Sequence, residues 1–242
     1  MTKYVAAVLV TVLMVAVSAQ AVVFQGTAVG SWTDPDPEGG YYSFGWNPAY
    51  VDIDNNDSGG DATVLWGVPG DGDGHGELTF DGAGSDPDLD PALWSSVNDP
   101  MFLGLLFYHN EPIYSGSGLD SIDLDVEVTV TDPSNMGLGT FGFGMTIDET
   151  ANPNGDTVLI LGPSPRDQSF YYGGCEYEFE MLGFQIDSEG EVLSELFLPE
   201  NGSTTVGLYG RITGGPCTVP DGGATMTLLG SALVVLAMLR RK

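Results

Sequence analysis

The chain has 242 residues, of which 34 are acidic and 6 basic, for a net charge of −28. A surface of that sign repels nucleic acid and anionic lipid and attracts cations, so nucleic acid is excluded as a partner. Two histidines and two cysteines are too few for a zinc centre, and abundant Gly and Pro (35 and 15) point to a loop-rich, all-β chain.

The charge is unevenly spread. Lys3, Arg240, Arg241 and Lys242 lie at the two ends. Between them, residues 22–218 hold every acid except Asp221 against Arg166 and Arg211, a charge of roughly −31. Solubility in a saline habitat and specific calcium sites are the two readings of this surface. On either, salt or divalent ions favour the compact state.

At the N-terminus, Lys3 precedes an apolar stretch from Val5 to Val17, then Ser18-Ala19-Gln20-Ala21. A basic start, an apolar core and an A-x-A site, with Ala19 and Ala21 as its small residues, predict a signal peptide over 1–21. Export in turn makes disulfides permissible.

Residues 22–214 are long enough for one domain with its own core. The clearest strand is 122–131, where Ile122, Leu124, Val126, Val128 and Val130 alternate with Asp123, Asp125, Glu127, Thr129 and Thr131. Strict period two means one buried and one wet face. Phe141, Phe143, Met145 and Ile147 repeat the pattern, as do Tyr177, Phe179 and Met181 between Glu176, Glu178 and Glu180. Further strands are expected over 22–31, 62–68, 77–81, 101–108, 157–161, 169–172, 192–198 and 204–213, separated by Asp, Asn, Gly and Pro clusters. The expected fold is an antiparallel β-sandwich, jelly-roll-like, without body helices.

Cys175 and Cys217 are expected to form one disulfide in an exported chain. It would close a loop of about 40 residues and stabilise by roughly 4 kcal/mol on the chain-entropy model. Two free thiols are the alternative.

Signs of catalysis are weak. There is no G-x-S-x-G elbow. His75 sits in Asp71-Gly72-Asp73-Gly74-His75-Gly76-Glu77, which reads as a flexible loop, and acids are too abundant for any carboxylate pair to stand out. The expectation is a non-enzyme. Calcium is the better chemical candidate, because it takes six to eight oxygens. Asp52, Asp54 and Asp57 form one candidate cluster, Asp86, Asp88 and Asp90 another. Neither fits the EF-hand register, and solvated acidic loops are the other reading. Trp32, Trp46, Trp94 and the pair Tyr41-Tyr42 occur in loop-like contexts, suited either to stacking on sugars or to loop packing.

The C-terminus completes the layout. Residues 215–223 form a linker containing Val219-Pro220-Asp221-Gly222-Gly223, 224–239 are apolar, and 240–242 are basic. As a helix the apolar run spans roughly 24 Å, slightly less than the roughly 30 Å bilayer core. Its Leu and Val residues favour insertion while Thr225, Thr227 and Ser231 oppose it, so it suits a temporary membrane anchor with a cytoplasmic end. Motif, helix and basic end together resemble the PEP-CTERM family of bacterial sorting signals, in the VPDSG-like variant with Gly222 in place of Ser. The resemblance implies processing near the motif by an exosortase, a membrane transpeptidase. A permanent tail anchor is the alternative.

A second set of phrases covers most of 62–213: Trp66-Gly67-Val68-Pro69, Leu103-Gly104, Phe107-Tyr108-His109-Asn110-Glu111-Pro112-Ile113, Tyr177 to Phe184, and Leu208 to Ile212. Together they resemble the choice-of-anchor K, or THxN, domain of bacterial surface proteins. His109 and Asn110 are read as the matching part of its Thr-His-x-Asn motif, with Tyr108 in place of Thr. This resemblance implies a secreted β-rich module of no assigned activity. Physically, His109 and Asn110 fall at a strand end, where Asn110 is expected to cap the turn and His109 to hydrogen-bond locally, with ligand contact as the other reading.

The functional expectation is an exported protein of the cell surface or extracellular polysaccharide matrix, structural or adhesive. A calcium-dependent carbohydrate-binding module is the rival.

Overall fold

The computed structural model describes residues 23–37, 50–55, 61–69, 74–84, 92–132, 135–150, 154–161, 168–186 and 190–217. They form thirteen strands and no helix. In chain order these are β1 (Val23–Pro37), β2 (Val51–Asp54), β3 (Asp61–Trp66), β4 (Gly76–Gly82), β5 (Ala92–Ser96), β6 (Pro100–His109), β7 (Leu119–Asp132), β8 (Met136–Asp148), β9 (Asp156–Ile160), β10 (Gln168–Tyr172), β11 (Cys175–Gln185), β12 (Glu195–Leu198) and β13 (Ser203–Cys217). One sheet has the order β12-β9-β8-β7-β1-β5, the other β10-β11-β13-β6-β4-β3-β2. Every pairing is antiparallel. The β-sandwich expected from the alternation is therefore the observed architecture. The signal peptide and C-terminal helix fall outside the described residues, and among those described no helix is long and apolar enough to cross a membrane.

Alternation explains the layering. In β7, Ile122, Leu124, Val126, Val128 and Val130 are buried while Asp123 and Glu127 face water. The inward rows of the two sheets interlock: Phe141 lies 5.2 Å from Phe179 and Phe143 5.1 Å from Phe184, ring centre to ring centre. β11 does not keep one phase throughout. A register shift between Met181 and Gly183 leaves Met181 half-buried and turns Phe184 inward. A bulge places two residues opposite one, which is why the inward aromatics are five apart here.

The sheets nearly merge at one corner. The Ala28 amide of β1 donates to the Ala83 carbonyl beyond β4 at 3.0 Å. A side chain at Gly30 would begin 2.3 Å from the Phe80 ring, so only glycine allows this approach.

Some expectations change. β1 runs on to Pro37, with register shifts after Thr33 and Asp34 at a φ of 50°. Trp32 is consequently not a loop residue open to a sugar: it is 2% exposed, and its indole donates to the Ala62 carbonyl at 2.7 Å. The stretch read as an acidic loop begins with strand β2, which pairs with β3. Trp94 lies in β5. Trp46, Tyr41 and Tyr42 lie outside the described residues. β13 continues to Cys217, three residues past the expected boundary at 214, and its register places the Cys217 backbone opposite Cys175.

Both ends of the body leave from one pole. Phe24 at the start of β1 packs edge-on against Phe170, Tyr172 and Tyr177, beside the Cys175–Cys217 register where β13 finishes. The far end of β1 pairs with Leu119, the far end of β13 with His109. The sandwich thus has a pole that carries the chain ends and an opposite, distal pole.

Candidate functional site

The distal pole is where several inward-facing rows run out of apolar residues. In β3 the row Ala62-Val64 ends at Trp66, and in β6 Leu106 is followed by Tyr108 and Asn110. Beyond β8 the phase of Phe141, Phe143, Met145 and Ile147 falls on Glu149. β9 begins its inward row of Asp156, Val158 and Ile160 with an acid. After Leu196 and Leu198 in β12 the same phase falls on Glu200. Period two therefore brings three carboxyl groups to the end of the core.

These groups are held closely. The Trp66 indole, 1% exposed, stacks on the Tyr108 ring (6.3 Å between centres, 18° between planes) and donates to Glu149 Oε1 at 2.5 Å. Gly76 opposite it is required, since a Cβ there would sit 2.4 Å from the indole. Asp156, 1% exposed, accepts the Thr150 amide at 2.7 Å, and the Thr150 hydroxyl donates to the Gly155 carbonyl at 3.0 Å, which closes the β8–β9 turn.

Burial pushes the Glu149 carboxyl up to about 8, and the Asp156 hydrogen bond and the Asp156 and Glu200 charges act in the same direction against the Trp66 bond. Glu200, in the β12–β13 turn, is also raised, first by burial and then by the charges of Asp156 and Glu111. Both its oxygens are shielded and find no hydrogen-bond partner among the described residues. The fully buried Tyr108 hydroxyl likewise has none. Its pKa is raised by burial and then by the charges of Glu149, Asp156 and Glu200.

His109 and Asn110 border this cluster. His109 Nε2 lies 2.8 Å from Glu111 Oε1, and its ring stacks on Phe107, so its bonding is local as expected. Asn110 does something different from capping its own turn. It is 2% exposed, its side-chain amide donates to the Leu198 carbonyl at 3.2 Å, and its backbone amide donates to Gly202 at 2.9 Å. It pins the end of β6 to the β12–β13 turn. His75 is also tied down, against the flexible-loop reading: Nδ1 lies 2.7 Å from the Gly67 carbonyl, and the ring stacks on Tyr50.

Of the calcium candidates only Asp52 and Asp54 fall among the described residues. Asp52 and Asp54 share the exposed face of β2, and Asp52 accepts the Tyr50 hydroxyl at 3.1 Å. Asn55, beside them, uses its side chain to bond both the amide and the carbonyl of Trp32, extending the sheet. Asp57, Asp86, Asp88 and Asp90 lie outside the described residues, as do Ala19, Ala21 and Val219 to Gly223. Among the described residues no three His, Cys, Asp or Glu side chains are placed to hold a metal ion.

Glu149, Asp156 and Glu200 were not singled out by sequence reasoning, although an acid in the inward phase of an apolar strand was a readable sign. Residues 218–242 match the VPDSG-CTERM motif, with Gly222 where that name has Ser. No curated protein matches the chain. The chain thus carries the C-terminal sorting signal of an exported, surface or extracellular protein.

Proposed function

We propose that this chain is a non-catalytic surface or extracellular-matrix module with a structural or adhesive role. On this reading residues 1–21 direct export and are removed after Ala21. The apolar run 224–239 holds the precursor in the membrane, and an exosortase-type enzyme processes it near Val219 to Gly223. The body then joins the cell surface or an extracellular polysaccharide. Cys175 and Cys217 form a disulfide that fastens the last strand to β11 just before the tail, a role favoured by their facing register. The body reads as a choice-of-anchor K type of domain. Strict Thr-His-x-Asn spacing puts Asn at 111, where this chain has Glu111, so His109 alone stands in register.

The observation that carries the proposal is the sorting motif, whose match starts at residue 218, next in sequence after the end of β13 at Cys217. Expression in a bacterium that encodes an exosortase, and in its exosortase-deleted strain, tests it by fractionation and intact mass. The expected result is a surface or extracellular form lacking 1–21 and the tail, replaced by a membrane-retained precursor in the deletion strain. Full-length polypeptide in the cytosol of both strains would overturn it.

A further inference from the structure

We propose that the outer face of the seven-stranded sheet, along its middle strand β6, is a docking strip for a polysaccharide that carries free amino groups. This rests on the reading of the body as an adhesive module and names the class of its partner. Outward positions of a sheet facing water are ordinarily polar. On β7 they hold Asp123, Asp125 and Glu127, and on β11 Glu178 and Glu180. On β6 they hold Phe102, Leu105, Phe107 and His109, with Phe102 38% and Leu105 37% exposed. Phe102 and Leu105 share the face because β6 bulges between them: Gly104 pairs with Leu208, but Phe102 already with Tyr209. Tyr209 completes the strip, its ring centre 5.8 Å from that of Phe102. A Cβ on Gly207 would lie 2.7 Å from the Tyr209 ring, so this ring rests over Gly207, the partner of Leu105. At the other end the Phe107 and His109 rings are parallel within 14°. The rings brace one another before any ligand arrives, which lowers the cost of ordering them. At about 3.3 Å per residue the row is roughly 20 Å long, and it is one strand wide, the shape of a linear polymer.

The flanks decide the occupant. On β4, Glu77, Thr79 and Asp81 stand beside His109, Phe107 and Leu105, and Thr63 and Asp61 follow on β3. On the other flank Arg211, the one lysine or arginine among the described residues, is engaged with Glu180 at 2.6 Å. Exposed rings with a polar rim mark a binding surface. Here the rim is acidic, so the fitting ligand joins apolar ring faces to positive charge. The C–H face of a sugar packs on an aromatic ring, and an ammonium group is attracted both by the ring face and by the carboxylates beside it. An anionic polysaccharide is repelled by the body charge of roughly −31, and so is a second copy of the chain.

Calorimetric titration of the full-length chain in neutral detergent with a glucosamine oligomer tests this, beside the N-acetylated oligomer, which has the same rings without the charge. The glucosamine oligomer is expected to bind, and the acetylated one about tenfold more weakly. Phe102→Ala and Tyr209→Ala should each weaken binding by about tenfold. Each variant is melted beside the native chain, and Phe102→Leu, which keeps an apolar side chain without the ring, carries the test if an alanine variant unfolds. Asp123→Asn with Glu127→Gln lowers the charge on the outer face of the other sheet and should leave binding unchanged. Equal binding by the native chain and the ring variants would overturn the proposal, since only attraction between opposite polyions would remain. So would equal affinity for the acetylated oligomer, or no binding at all. A dimer in sedimentation that Phe102→Ala breaks would also overturn it and give the face to a second copy. None of these results touches the export reading, which fractionation decides.

Discussion

The two poles of the sandwich are built from opposite materials. Where the chain ends leave, Phe24 sits among Phe170, Tyr172 and Tyr177, with ring centres 5.3 to 6.3 Å from its own. At the distal pole other inward rows finish in Trp66, Tyr108, Asn110, Glu149, Asp156 and Glu200: Trp66 donates to Glu149, Asn110 to the Leu198 carbonyl and the Thr150 amide to Asp156, while the Tyr108 hydroxyl and the Glu200 oxygens find no partner among the described residues. Apolar burial is non-directional and indifferent to pH, whereas buried carboxyl groups are stable only in particular geometries and protonation states. The difference teaches that the pole of the chain ends is held by contacts that do not titrate, whereas the distal pole contains carboxyl groups that do.

Substitutions that attack one pole at a time separate these properties. Phe24→Ala should have the largest effect, about 3–5 kcal/mol by denaturant unfolding, because it removes a buried ring that contacts three others. The loss should be the same at pH 6 and pH 9. Reduction of the proposed Cys175–Cys217 disulfide comes next, at roughly 4 kcal/mol on the chain-entropy model. Melting with and without reductant, beside a Cys175→Ser variant, measures it. Asn110→Ala should cost about 1–3 kcal/mol, since it leaves the Leu198 carbonyl without this donor in a buried place. Hydrogen exchange should show that loss concentrated at the β12–β13 turn. Arg211→Ala is the control: its 2.6 Å bond to Glu180 is half exposed, so the change should stay below about 1 kcal/mol and fade with added salt.

Strands with long, strict alternation could be read from sequence, because β7 and β8 each bury one face against the other sheet. β2 escaped because its four residues contain two aspartates, although Val51 and Ile53 already alternate with them. β5 is short, and Ala92-Leu93-Trp94-Ser95-Ser96 has no period of two. Trp32 was misjudged because Asp34, Pro35 and Pro37 follow it, yet the register shifts of β1 accommodate them without ending the strand. The distal cluster was hidden for another reason. Glu149 and Asp156 flank the β8–β9 turn and Glu200 lies in the β12–β13 turn, and in a chain with 34 acids only the inward phase of the adjoining strands marks them out. Only knowing which phase of each strand faces inward makes them stand apart.

The position of β13 has a mechanical consequence. This strand leads into the tail, and it lies between β11 and β6, hydrogen-bonded along both sides. Traction on the C-terminus therefore shears two ladders together, where an edge strand would peel away from one neighbour bond by bond. Load entering through such a strand passes into the middle of its sheet and not to an edge.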